Sequence, residues 1–398
     1  MKDIVIVANF VAGLQGQDNN RFSYLAGLLS KVADVELVTS DFHHASKSKR
    51  TGDYSKFPFR VTLLEEPGYP KNVCLQRFRS HAVFGQNVAK YLRERKKPDL
   101  IYAAVPSLDA AKAAADYAKE NNVRFIVDIQ DLWPEAFKMV FHLPVISDLI
   151  FAPMNRTANA IYAQADEIVA VSGTYCQRAK RVNTKDADTH TVFLGTRLAD
   201  FDANVNCYER PEKPGDELWL AYCGTLGASY DLTCVLDALA LIRQRGLTPP
   251  KFVVMGDGPR KAEFEGYAQG RELDVWFTGR LPYAEMCGLL CACDMTVNPI
   301  VKGSAGSIIN KHADYAASGL PVLNTQESPE YRDLVDEYRM GFNCENGNAA
   351  DLAEKLMTLV ADRSLRAEMG RSARRCAEER FDREWSYQSI VDLLIKGE

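Results

Sequence analysis

The chain of 398 residues is 46% hydrophobic and 25% charged, a globular balance with length enough for two full cores. No apolar run approaches the roughly 18 residues that span a bilayer, so no membrane-crossing helix is expected. The net charge of −5 is uneven: residues 1–200 carry 26 Lys/Arg against 22 Asp/Glu and the remainder 22 against 31, which argues against nucleic-acid binding by the second half.

Residues 4–8 form a β-branched run that leads through a polar loop, with Gly13 and Gly16, into a helical pattern from Arg21. Strand, glycine loop and helix open a doubly wound sheet. The loop does not fit G-x-G-x-x-G, so a dinucleotide is not expected. MKDIVIVANF reads as this first strand and not as a signal peptide.

A second strand covers 35–39. Residues 43–60 then form a long polar loop with five Lys/Arg and one Asp. It reads either as a solvated loop or as a contact for membrane phosphates or an anionic acceptor. A basic helix at 75–95, a strand at 100–104, an alanine-rich helix at 108–121 and a strand at 124–129 come next. The last strand runs into Gln130, Asp131, Leu132, Trp133, Pro134 and Glu135. Polar groups at the carboxyl end of a parallel strand face the ligand crevice of such sheets. Asp131 and Glu135 also suit a helix cap and a first-turn acid. A helix at 144–164 and strands at 167–172 and 190–194 complete a first domain near residue 200. The segment 201–217, with Pro211, Pro214 and Gly215, reads as a linker.

The pattern then restarts. Strands at 218–222 and 252–255 end in Gly224-Thr225-Leu226-Gly227 and Gly256-Asp257-Gly258-Pro259; 275–277 precedes Gly279-Arg280, and 294–297 leads into KGSAGSIINKHADYAASGLPVL, residues 302–323. Glycine-bearing loops after parallel strands open on one sheet edge, where close backbone approach and helix N-termini suit phosphate. Lys311 adds a point charge, and Asp314, three residues on, shares its helix face and suits ribose hydroxyls. A plain helix with a flexible entry loop is the competing reading of this stretch. The ten cysteines are scattered; Cys291 and Cys293, the tightest pair, have no second pair or nearby histidines, so reduced thiols in a cytoplasmic protein are expected and a metal is not.

The ordered set Tyr222–Gly227, Met255–Pro259, Val275–Leu281 and Asn310-Lys311 through Asp314-Tyr315 to Gly319-Leu320-Pro321-Val322 resembles family 4 of the retaining glycosyltransferases. The segment 128–135 is similar to the DLWPE segment of a bacterial subgroup that builds O-antigen and capsule sugars. Residues 381–385 look like the start of that family's last helix, which crosses back onto the first domain. The resemblance implies the GT-B architecture: two Rossmann-like α/β domains facing across a cleft. The first, 1–200 with 381–398, would take the acceptor, and the second, 218–380, the donor.

It further implies transfer of a sugar from a nucleotide-diphosphate sugar, expected to be UDP-linked, to a lipid-linked or glycan acceptor, without metal or other cofactor. Peripheral contact with the inner face of the plasma membrane through the basic loops is also implied. The donor set it implies is Gly16, Gly224, Thr225, Gly256, Asp257, Gly258, Arg280, Leu281, Gly306, Ser307, Lys311 and Asp314. Asp131, Gln130 and Lys311 would form the catalytic part, with Lys311 on the β-phosphate. The sequence departs from the family pattern: Gly306 stands where the first glutamate is usual, Gln130 where a histidine is usual, and Thr225 and Asp231 near the usual Arg–Lys pair. A GT-B-fold nucleotide-sugar epimerase and a non-catalytic nucleotide-sugar-binding protein are the alternatives.

Overall fold

The structure, a computed structural model, describes residues 1–11, 14, 20–72, 74–138, 144–209, 211–303 and 308–396. Its packing divides it into two units, Met1–Phe193 with Trp385–Glu398, and Leu194–Glu384.

The first unit holds nine strands: β1 (Asp3–Val7), β2 (Asp34–Ser40), β3 (Phe42–His43), β4 (Ser48–Lys49), β5 (Arg60–Leu64), β6 (Leu100–Val105), β7 (Arg124–Ile129), β8 (Glu167–Ala170) and β9 (Asp188–Thr191). Seven of them form one parallel sheet in the order β5-β2-β1-β6-β7-β8-β9, and β3 pairs antiparallel with β4. The central strands IVIV and LIYAAV are buried throughout, as helices on both faces of a parallel sheet require. The polar run DTHT forms the exposed edge, which discourages pairing with another chain. Tyr387, Ile390, Val391 and Leu394 of the last helix, Arg383–Ile395, join Ile4, Ile6, Leu37 and Tyr102 in this core. Lys2 and Arg124 donate to carbonyls at the end of that helix.

Two expectations change here. The long loop at 43–60 contains the β3–β4 hairpin, and its last residue opens β5, an edge strand that begins with a charged residue and is only half buried. Residues 201–206, expected in a linker, belong to the helix Leu198–Asn206, whose Leu198 and Phe201 are buried.

The second unit holds β10 (Trp219–Cys223), β11 (Lys251–Met255), β12 (Val275–Gly279), β13 (Met295–Asn298), β14 (Val322–Asn324) and β15 (Gly341–Asn343), all parallel, in the order β12-β11-β10-β13-β14-β15. Each sheet therefore reverses its strand order once, between β1 and β6 and between β10 and β13, and ligands bind at such switch points outside the carboxyl ends of the strands. Asn298, Asn324 and Asn343 are register partners across three strands. Their side chains form a ladder, Asn298 Nδ2 donating to Asn324 Oδ1 at 2.9 Å and Asn324 Nδ2 to Asn343 Oδ1 at 2.8 Å.

Candidate functional site

At the switch point of the second unit, the loops after β10, β11 and β12 are laced together by backbone. Gly224 N–H donates to Met255 O at 3.0 Å, Leu226 N–H to Asp257 O at 2.9 Å, and Gly256 bridges Gly279. A Cβ at Gly256 would lie 1.8 Å from Gly224 O, and one at Gly258 would lie 2.4 Å from Leu226 O, so only glycine permits this approach. On the other side, Asp231 N–H donates to Pro299 O and Val301 N–H to Ser229 O, which joins the loop after β10 to the loop after β13. Asp231 caps the helix Leu232–Gln244 by accepting from Cys234 N–H.

The helix Asn310–Ala317 opens from that second loop and ends at Gly319, whose φ of +66° suits the left-handed turn that stops a helix. Its His312 is fully buried, stacked on Tyr331 with ring centres 3.4 Å apart. One residue earlier, Lys311 runs beneath the glycine loop, where a Cβ on Gly224 would lie 2.8 Å from its Nζ. The ammonium sits 4.1 Å from the centre of the Tyr222 ring and 3.9 Å from that of Tyr230. It is buried and has no hydrogen-bond partner among the described residues. Burial lowers its pKa to about 7, and no carboxylate among the described residues offsets the loss of water. A desolvated cation with free donors beside a glycine turn is arranged to receive an anion.

Asp314, on the same helix, accepts from the Tyr283 hydroxyl at 2.8 Å, and that hydroxyl lies 3.0 Å from Thr196 Oγ1. Burial raises the Asp314 carboxyl to about 6 against the hydrogen bond from Tyr283 and the charge of Arg383. Thr225, Asp257 and Arg280 are exposed and Leu281 half-buried. The Asp257 carboxylate accepts from Gly258 N–H at 2.7 Å. The structure thus gathers Gly224, Gly256, Gly258 and Lys311. Gly16, Gly306 and Ser307 lie outside the described residues.

Gln130 and Asp131 stand at the carboxyl end of β7, in the first unit. Gln130 Nε2 donates at 3.0 Å to Asp128, which is fully buried and ion-paired with Arg21 at 2.7 Å. Asp131 accepts from the Trp133 indole N–H at 3.2 Å, and burial lifts its carboxyl to about 6. Glu135 opens the short helix Glu135–Lys138 and pairs with Arg178 at 2.6 Å. Sequence reasoning missed Tyr222, Tyr230 and Tyr283. The first two read as ordinary strand and loop aromatics, and nothing local ties Tyr283 to Asp314. It also missed His44 and His81, which come from separate elements and approach the same aromatic cluster around Trp133.

Residues 217–362 match the family described as Glycosyl transferases group 1. The chain is 24% identical over 395 residues to the sulfoquinovosyl transferase SQD2 of Arabidopsis thaliana, covering 93% of this chain and 68% of that protein. It is 22% identical over 239 residues to a probable glycosyltransferase, WbjE, of Pseudomonas aeruginosa, covering 58% of each. Among solved structures, HepE of Anabaena in complex with UDP superposes with a TM-score of 0.70 at 17% identity, covering 98% of this chain and 99% of that one. Sucrose-phosphate synthase of Thermosynechococcus elongatus superposes with a TM-score of 0.72 at 17% identity, covering 99% and 98%. A putative UDP-N-acetylglucosamine 2-epimerase of Listeria monocytogenes also superposes, with a TM-score of 0.62 at 10% identity, covering 98% and 95%.

Proposed function

We propose that the chain, a glycosyltransferase with the GT-B fold, transfers a sugar, with retention, from a UDP-linked donor to a lipid-linked glycan acceptor of cell-surface polysaccharide assembly. The observation that carries the donor half is Lys311: a buried ammonium, unpartnered among the described residues, under the glycine loop of a switch point. UDP as the nucleotide is supported by the UDP complex of HepE. The lipid-linked acceptor rests on the DLWPE-like segment and the basic N-terminal loops, which also suggest peripheral attachment to a membrane. No helix among the described residues is long and apolar enough to cross one.

In this reading Lys311 holds the β-phosphate, and Gly224, Gly256 and Gly258 let backbone approach the diphosphate. Thr225, Asp257, Arg280 and Leu281 line the nucleotide, with Gly16, Gly306 and Ser307 completing the donor set. Asp314 accepts from the ribose. Charge grows on the β-phosphate as the glycosidic bond breaks, and a fixed, desolvated ammonium stabilises that charge more than a hydrated one would. The leaving diphosphate takes the proton of the attacking hydroxyl on the same face. Asp131 and Gln130 orient the acceptor or the donor sugar, Gln130 being held by Asp128 and Arg21. The contribution is then mainly positioning and electrostatics.

Incubation with UDP-sugars and polyprenyl-diphosphate-linked glycans tests the proposal. Acceptor-dependent UDP release with a matching gain in acceptor mass is expected. An isomerised donor would identify an epimerase, and tight UDP binding with neither product a non-catalytic binder; either result overturns the transfer reading.

A further inference from the structure

The first unit carries two half-buried cations, Arg77 and Lys47, beside the half-buried His44 and the buried His81, a group that glycosyl transfer from a nucleotide donor leaves unused. Arg77, in the first turn of the helix Leu75–Glu94, lies over three aromatic rings, with its guanidinium carbon 4.8 Å from the centre of Trp133 and 5.6 Å from those of Phe10 and Tyr69. Lys47 lies 4.7 Å from the centre of Tyr69, with its Nζ 3.3 Å from His44 Nδ1. His81 is 1% exposed, stacks on Trp133, and its Nε2 has no hydrogen-bond partner among the described residues.

The two cations, Arg77 and Lys47, repel each other and hold the two histidines neutral. Burial, then Lys47 and Arg77, lowers His44 to about 4, and burial, then Arg77 and His44, lowers His81 to about 3. Two carboxylates lie nearby among the described residues. Glu66 is engaged by Asn9 and Ser80, with one oxygen 4.0 Å from His81 Nε2. Asp131 is the carboxylate whose charge acts on Arg77, and its own proton affinity is raised by burial. Stacking on aromatic faces fixes a guanidinium without using its N–H donors. Arg77 spends Nη1 on Asn72 O at 2.8 Å and is also hydrogen-bonded to Tyr69, while its buried Nε has no partner among the described residues. A cluster built only for packing would gain nothing from cations that oppose each other; an anion relieves the repulsion.

We propose that Arg77, Lys47 and His44, walled by Phe10, Tyr69 and Trp133, bind the phosphate or diphosphate group of the acceptor. The flanking residues indicate the kind of chain that this phosphate carries. Leu75 is 86% exposed and Phe78 37% exposed on the same first turns of the helix, an apolar rim suited to a prenyl chain. The inference rests on the lipid-linked acceptor proposed above and assigns it a place on this chain.

The test uses the full chain saturated with UDP, so that the donor site is filled, and titrates it calorimetrically with inorganic diphosphate and with farnesyl diphosphate. One equivalent of each is expected to bind, farnesyl diphosphate more tightly. Arg77→Gln is expected to weaken both by about tenfold or more, as loss of a charge-assisted contact does, with UDP affinity unchanged. Lys47→Gln, at a more exposed position, provides a second variant should Arg77→Gln fold poorly, and should weaken both probes to a lesser degree. Equal affinity for the two probes supports the phosphate site and overturns the prenyl rim. No binding of either probe, or binding unchanged in both variants, overturns the proposal. If UDP itself does not bind, the donor reading falls, and the diphosphate titration still decides this site.

Discussion

Replacing Lys311 by methionine keeps the length and apolar body of the side chain while removing the buried charge. The lysine's pKa falls from 10.5 in the unfolded chain to about 7 in the folded one. At about 1.4 kcal/mol per unit, charging this group in the folded protein costs on the order of 5 kcal/mol. Its stacking on Tyr222 and Tyr230 offsets up to about 2 kcal/mol, so a net gain of about 3 kcal/mol is expected in Lys311→Met. Between pH 7 and 10.5 the unfolded chain holds a proton that the folded chain does not. The stability of the unsubstituted protein therefore rises with pH over that window, and the advantage of the variant is largest below pH 7 and fades towards 10.5. Melting curves without ligand, recorded from pH 6.5 to 10, should place the variant roughly 5–10 °C higher at the acid end, by the usual scaling for a unit of this size. The stabilised variant should lose the shift in melting temperature that UDP produces, and with it turnover. A variant that is less stable at pH 6.5, or that still binds UDP and turns over at near-normal rates, would refute the assignment of Lys311 as a desolvated phosphate ligand.

Asp314→Asn should weaken UDP binding by about tenfold, the loss of a charged hydrogen bond, with little change in fold. Because burial holds the Asp314 carboxyl at about 6, donor KM should also rise as pH falls through 6; a flat KM between pH 5 and 7 would exclude an ionised Asp314 in donor binding. Gly256→Ala drives a methyl into Gly224 O and should destabilise the second unit by about 1–3 kcal/mol, seen as a lower urea midpoint. Arg21→Met strands Asp128 without its ion-pair partner and should cost about 3–5 kcal/mol in urea unfolding, together with a fall in turnover as Gln130 loses its fixed neighbour. An unchanged urea midpoint would mean that Tyr102, which also donates to Asp128, suffices to hold that carboxylate.

The two sheets were legible because their central strands are short, fully apolar runs separated by helical spacing. The edge strand β5 was not, although the opposite edge, β9, was read as a strand at 190–194. β5 opens with Arg60 and buries only half of each residue, so the pattern gave no alternation to read. The helix Pro329–Tyr338 is half charged and went unread for a similar reason. The glycine loops of the second unit were legible because their glycines come directly after strands, a position that demands either a left-handed turn or a close approach. What Lys311 rests on was not. Tyr222 is the fourth residue of a buried strand, where an aromatic residue carries no signal beyond packing, and Tyr230 closes a loop whose course only the fold supplies. Arg77 and His81, one turn apart on the helix Leu75–Glu94, meet Trp133, and His44 joins them through Phe10 from the β3–β4 turn, a convergence of three chain segments that no local spacing encodes.

The asparagine ladder has a consequence for how this unit can diversify. Asn298, Asn324 and Asn343 tie the roots of three successive loops to one another through side chains. Asn343 extends the tie to the backbone of Arg332. Loops rooted on such a crosspiece can change length and sequence at their tips while their points of departure stay fixed. If the second unit takes the donor as proposed, its loops can thus change which sugar they contact without altering the geometry beneath Lys311, and drift in specificity need not begin with a loss of stability.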